Sequence, residues 1–71
     1  MIAPGQFYRH YKNGIVYRVL TLAVDTETQL PMVVYQDTSD ESKIWTRSRT
    51  MFEEKVEWEG SRVKRFMREE V

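Results

Sequence analysis

The only histidine in the chain is His10, two residues after Tyr8 in the run Gln6-Phe7-Tyr8-Arg9-His10-Tyr11. Imidazole is the one side chain whose unperturbed pKa lies near neutrality, so His10 is the natural general base for any proton-transfer chemistry here. Residues two apart in an extended segment share a face, which projects Tyr8 and His10 together. Catalysis also needs a group to orient the ring, and Glu27, between Thr26 and Thr28, is the candidate carboxylate. Nothing in the spacing forces Glu27 toward His10. No Gly-x-Ser-x-Gly, phosphate-loop or His-Glu-x-x-His pattern is present. The expectation is a structural or surface His10, no catalytic residue, and a Glu27 that closes a turn by accepting backbone N–H groups.

A second constellation suits binding rather than catalysis. Trp45 and Arg47 are two apart and share a face; so are Val33 and Tyr35, on the strand expected beside them. If those faces coincide, an aromatic pair stands next to a guanidinium, a combination that stacks a flat ligand and grips a phosphate or carboxylate. Tyr35, Trp45, Arg47 and Arg65 form the candidate ligand-binding set. The competing reading makes Trp45 and Tyr35 core residues, with Arg47 bridging to Glu53 or Glu54. Arg62, Lys64, Arg65 and Arg68 form a basic run after the acidic Glu53, Glu54, Glu57 and Glu59. In a hairpin the two runs face each other, which stabilises by only about 0.2–1 kcal/mol per pair. Alternatively the basic run, with Arg47, contacts phosphates.

These side chains must be positioned by a small domain. Seventy-one residues make one domain, 1–71, and a chain this short buries only about 60% of the surface it exposes when unfolded. There is no cysteine, so disulfides are unavailable. One histidine without cysteine leaves a structural zinc site close to excluded. No metal or cofactor is expected. Stability must come from rings and branched aliphatics, and Phe7, Tyr8, Tyr11, Tyr17, Tyr35, Trp45, Phe52, Trp58 and Phe66 are spread along the chain. Formal net charge is zero, which argues against a strong charge-driven nucleic-acid binder. The N-terminus lacks a basic region followed by an apolar one, and no apolar stretch approaches a membrane span, so the cytoplasm is the expected location.

Asn13-Gly14 between two β-prone runs predicts a hairpin, both residues tolerating positive φ. The run Ile15–Val24 is apolar on both alternating faces apart from Arg18 and Thr21, as in a strand buried on both sides or bent round a small barrel. Asp25 to Leu30 reads as a turn, Pro31 to Gln36 as a strand, Asp37 to Ser42 as an exposed polar loop, and Ile44 to Arg47 as another strand. Ser48 to Glu54 predicts one helical turn, capped by Ser48, with Met51 and Phe52 plugging the barrel. Lys55 to Trp58, a turn at Glu59-Gly60-Ser61, and Arg62 to Phe66 make a last hairpin, and 67–71 frays. The fold expected is mostly β: a small SH3-like barrel or a curled antiparallel sheet with one short helical turn.

The segment Gly5-Gln6-Phe7-Tyr8-Arg9-His10-Tyr11-Lys12-Asn13-Gly14-Ile15-Val16-Tyr17-Arg18-Val19 resembles the opening of the domain-of-unknown-function 1653 family. The resemblance continues through Thr26-Glu27-Thr28, Val33-Val34-Tyr35, Trp45-Thr46-Arg47, Met51-Phe52 and Arg65-Phe66. It implies a compact bacterial β domain and no established activity. The functional expectation is a binding or interaction module for an unknown protein or peptide partner, as a monomer or weak homodimer. The alternatives are weak nucleic-acid binding and an enzyme built on Tyr8, His10 and Glu27.

Overall fold

In a computed structural model of the chain, residues 1–70 are described. Their strand-forming runs become β1 (Phe7–His10), β2 (Val16–Val24), β3 (Pro31–Asp37) and β4 (Ile44–Ser48), followed by the single turn α1 (Arg49–Phe52). The chain continues through β5 (Lys55–Trp58), β6 (Ser61–Lys64) and β7 (Phe66–Glu69). Five strands form one curled antiparallel sheet in the order β4-β3-β2-β1-β7, and β5 and β6 pair as a separate hairpin. The curled-sheet form of the expected fold is the one adopted. Strands β4 and β7 end the sheet without pairing to each other, so it curves as a half-barrel and α1 with Phe52 covers the open side.

Register decides which side chains face inward. Tyr8 lies opposite Tyr17, Val19 opposite Tyr35, Tyr35 opposite Trp45 and Val33 opposite Arg47, so all belong to the concave face. The β2–β3 register shifts between Val19 and Thr21. This bulge leaves Leu20 as the extra residue and carries the inward positions from Tyr17 and Val19 to Leu22 and Val24. The double-sided apolar pattern of β2 therefore has a different cause from burial on both sides: one face is apolar throughout, and the phase jumps at Leu20. Beyond the bulge the strand leaves the core, and Leu22 and Val24 are 42% and 65% exposed.

The core comprises Ile2, Tyr8, Tyr17, Val19, Val33, Tyr35, Phe52 and Phe66. At its centre Phe52 and Phe66 stack with centroids 4.1 Å apart. Tyr8 meets Phe52 edge-on at 5.1 Å, and Tyr35 meets Phe66 at 5.5 Å. Each such pair adds about 0.5–1.5 kcal/mol beyond area burial, which is how a staple-free chain of this size holds together. Ser48 caps α1 as expected, its hydroxyl accepting from Met51 N at 3.2 Å. Phe52 plugs the sheet, but Met51 does not; in a four-residue turn the neighbouring side chain points the other way, and Met51 is exposed.

The turns hold further corrections. Asn13-Gly14 does sit in the β1–β2 hairpin, yet only Gly14 has positive φ, at 71°. The loop is four residues long: His10 N donates to Ile15 O, and Gly14 N donates to His10 O. The two-residue turn with both φ positive falls instead at Glu59 and Gly60, and Ser61 already belongs to β6. In the β2–β3 turn the accepting carboxylate is Asp25, not Glu27: Asp25 Oδ1 takes the N–H groups of Glu27 and Thr28 at 2.8 and 3.0 Å. The shorter side chain reaches the backbone two residues on. Asp37, expected in an exposed loop, ends β3 as a buried carboxylate that accepts from Ser39 N and Oγ. Met67 to Glu69, expected to fray, pair with β1 from Arg9 to Phe7. Of that tail, Val71 lies outside the described residues.

Candidate functional site

The β3–β4 register brings the candidate ligand-binding residues together. A recess of about 210 Å³ is lined by His10, Asn13, Tyr17, Tyr35, Trp45, Arg47 and Phe66. Tyr35 is 5% exposed and forms part of the core, whereas Trp45 is 48% exposed at the rim. The two readings of this pair thus divide between them. Arg47 Nε donates to Tyr35 Oη at 3.4 Å, and the guanidinium carbon stands 5.9 Å from the Phe66 ring centroid. That distance suits a cation–π contact.

Arg47 makes neither of the carboxylate contacts that compete with ligand binding. Glu53 is taken by Arg49 at 3.7 Å and Glu54 by Arg65 at 2.7 Å. Among the described residues no carboxylate is within ion-pairing distance of Arg47. Arg65 itself does not line the recess. Its Nε donates to Met51 O at 3.2 Å and its Nη2 to Glu54, tying α1 to the junction between β6 and β7. Arg65, included in the candidate set from the sequence, precedes the inward Phe66, and alternation sends its side chain the other way.

His10 enters the recess from β1. Its Nδ1 accepts the backbone N–H of Lys12 at 3.2 Å, so the neutral ring carries its proton on Nε2. The ring packs edge-on against Phe66 at 5.1 Å. Burial pulls the imidazole pKa below its ordinary value, and the charges of Arg47, Arg65 and Lys12 pull the same way. Asn13 and Tyr17, absent from the sequence-derived set, complete the walls. Tyr17 was legible as part of the site only through register, since its opposite neighbour on β3 is Asp37 and the Tyr17 ring meets Tyr35 edge-on at 5.3 Å.

The Tyr8, His10 and Glu27 constellation is not assembled. Tyr8 donates its hydroxyl to Gln6 Oε1 at 2.8 Å, and burial raises its pKa. Glu27 sits in the turn at the opposite end of the nine-residue β2. At about 3.3 Å per residue, that strand separates it from His10 by roughly 30 Å. The basic run is likewise dispersed. Glu57 faces Arg62 across β5 and β6 without an ion pair, Lys55 faces Lys64, and Arg68 contacts Glu70 at 3.4 Å. A second, more apolar groove lies between Tyr11, Trp58, Val63 and Met67, with Tyr11 and Trp58 edge-on at 5.3 Å. No helix among the described residues is long and apolar enough to cross a membrane.

Together these features define a small curled-sheet β protein with an open depression walled by aromatic rings and one guanidinium. The chain belongs to the family described as a protein of unknown function (DUF1653), whose sequence profile matches residues 6–68. No curated protein and no solved structure matches the chain.

Proposed function

We propose that the protein is a non-catalytic binding module that takes its ligand in the recess formed by Tyr35, Trp45 and Arg47, with His10 as one wall. The observation that carries this reading is the state of Arg47. Its guanidinium is oriented by Tyr35 and Phe66 but has no carboxylate partner among the described residues, and a half-exposed indole stands on the same face. A cation held in place without a counter-ion beside an open aromatic face is prepared for a partner supplied from outside. The enzyme alternative has less support, because a general base with no orienting acid and no adjacent nucleophile lacks the usual catalytic arrangement. The nucleic-acid alternative draws on Arg47, Arg62, Lys64, Arg65 and Arg68, and two of these five already carry carboxylate partners.

A fragment screen read by amide and indole proton–nitrogen correlation spectra tests the proposal. Hits are expected to gather at the Trp45 indole and the Arg47 Nε–H, and Arg47→Ala is expected to remove them while leaving the remaining spectrum folded. Hits confined to the Tyr11–Trp58 groove, or an Arg47→Ala variant that unfolds, would overturn it.

A further inference from the structure

Resting on that reading, the hydrogen-bond inventory of the recess identifies the class of ligand. The acceptor atoms on its walls are already engaged: Asn13 Oδ1 takes Ile15 N at 2.8 Å, His10 Nδ1 takes Lys12 N, and Tyr35 Oη takes Arg47 Nε. The donors are not. The Nε2–H of His10, the Nδ2 amide hydrogens of Asn13, the Tyr35 hydroxyl proton and the Nη groups of Arg47 have no acceptor among the described residues. The Tyr17 hydroxyl, able to act either way, is also without a partner. Among the described residues no carboxylate lines the recess, and the charges of Arg65 and Lys12 bear on His10 from outside it. Walls with spare donors and positive charge complement one kind of group, an oxyanion.

Size and shape narrow the choice. At about 210 Å³ the recess is smaller than the ~300–1,000 Å³ typical of drug-sized ligands, so it admits one compact group. The rings of Tyr35 and Phe66 lie inside it and the exposed Trp45 stands at its rim, surfaces that favour a flat partner. We infer that the recess receives an oxyanion, carboxylate or phosphate, carried on a small planar ring: Arg47 grips the oxygens and Trp45 stacks the ring.

The test titrates the full chain with four probes, benzoate against its neutral isostere benzamide, and adenosine monophosphate against adenosine, following the Trp45 indole and Arg47 Nε–H resonances. At least one anion is expected to bind saturably and more tightly than its neutral counterpart by about tenfold, or about 1.4 kcal/mol. Arg47→Gln is expected to remove that preference, and Tyr17→Phe to weaken it less. Which anion binds separates carboxylate from phosphate. Equal binding of neutral and charged probes at these resonances would overturn the oxyanion inference and leave the recess reading standing. No shift at either resonance with any probe at millimolar concentration would overturn both.

Discussion

The two ends of β2 are closed by turns of the same construction. At one end His10 N donates to Ile15 O and Gly14 N to His10 O; at the other Asp25 N donates to Leu30 O and Gln29 N to Asp25 O. Both loops span four residues and finish on a left-handed residue, Gly14 at φ 71° and Gln29 at φ 59°. In both, the side chain of the first hydrogen-bonded residue turns back to accept an N–H two residues on, His10 Nδ1 from Lys12 and Asp25 Oδ1 from Glu27. The difference lies in what each acceptor leaves over. A carboxylate capping an exposed turn has only further acceptor capacity. An imidazole capping a turn beside the core keeps a donor, Nε2–H, on the far side of its ring. One backbone solution is thus a plain closure at the Asp25 end and part of the recess at the His10 end.

The largest effect should separate the two ends by packing. Phe52→Ala, which removes half of the central stack, should cost about 3–5 kcal/mol in chemical denaturation. Leu22→Ala, on the same concave face but past the bulge, should cost about 1 kcal/mol or less. Equal losses would mean that the exposed end is packed after all.

The left-handed positions give a smaller, opposed pair. Gly14→Ala should destabilise by about 1–2 kcal/mol, because a Cβ is strained at that φ whatever the space around it. Gln29→Gly should instead stabilise by about 0.5–1 kcal/mol, since relief of that strain outweighs the added freedom of the unfolded chain. Thermal melts of both variants check the signs.

The smallest effect is in pH. The folded His10 pKa lies below its unfolded value of about 6.5. Within the window between the two, the unfolded chain binds more protons, so stability falls as the solution is acidified below about pH 6.5. The Asp25 carboxyl is shifted downward by the N–H groups of Thr28 and Glu27, so its contribution is present above the ordinary carboxylate range and is lost at more acid pH. His10→Asp should transplant the second cap onto the first turn. It should abolish the loss below about pH 6.5 and move it into the carboxylate range. A variant that keeps the wild-type melting profile between about pH 7 and about pH 5.5 would show that the imidazole does not carry it.

Most of the architecture was legible from residue types. Short apolar runs rich in β-branched residues located β2, β3 and β4; Asn13-Gly14 marked a hairpin; Ser48 marked the cap of α1. The inward pairing of Tyr35 with Trp45 and of Val33 with Arg47 followed from period two once β3 and β4 were neighbours. What stayed hidden depended on competition or on a single inserted residue. Arg47, Arg49 and Arg65 all stand within reach, in sequence, of Glu53 and Glu54, and only the fold assigns Glu53 to Arg49 and Glu54 to Arg65. His10 was expected to be structural or surface rather than catalytic, but that its Nδ1 would cap the turn at Lys12 N is shown only by the fold. Leu20 is as apolar as the inward Val19 and Leu22, so nothing in its chemistry marks it as a bulge. Met67 to Glu69 looked like a tail because a terminal strand has no downstream turn to announce it; their partner, β1, lies at the other end of the chain.

The bulge at Leu20 makes β2 behave as two strands spliced with a half-period slip. Pairing Leu20 into the ladder, instead of leaving it out, would restore strict alternation by residue number, and every side chain on one side of the splice would change faces. Either Tyr17 and Val19 would turn out of the core, or Leu22 and Val24 would swing to the convex surface while Thr21 and Ala23 took their places. The aromatic floor has far more to lose than the open arm, so the arm would be the part to invert. Leu20 thus absorbs the slip, letting the half of the sheet that houses the recess keep its own phase while the outer arm keeps its apolar residues on the same concave face.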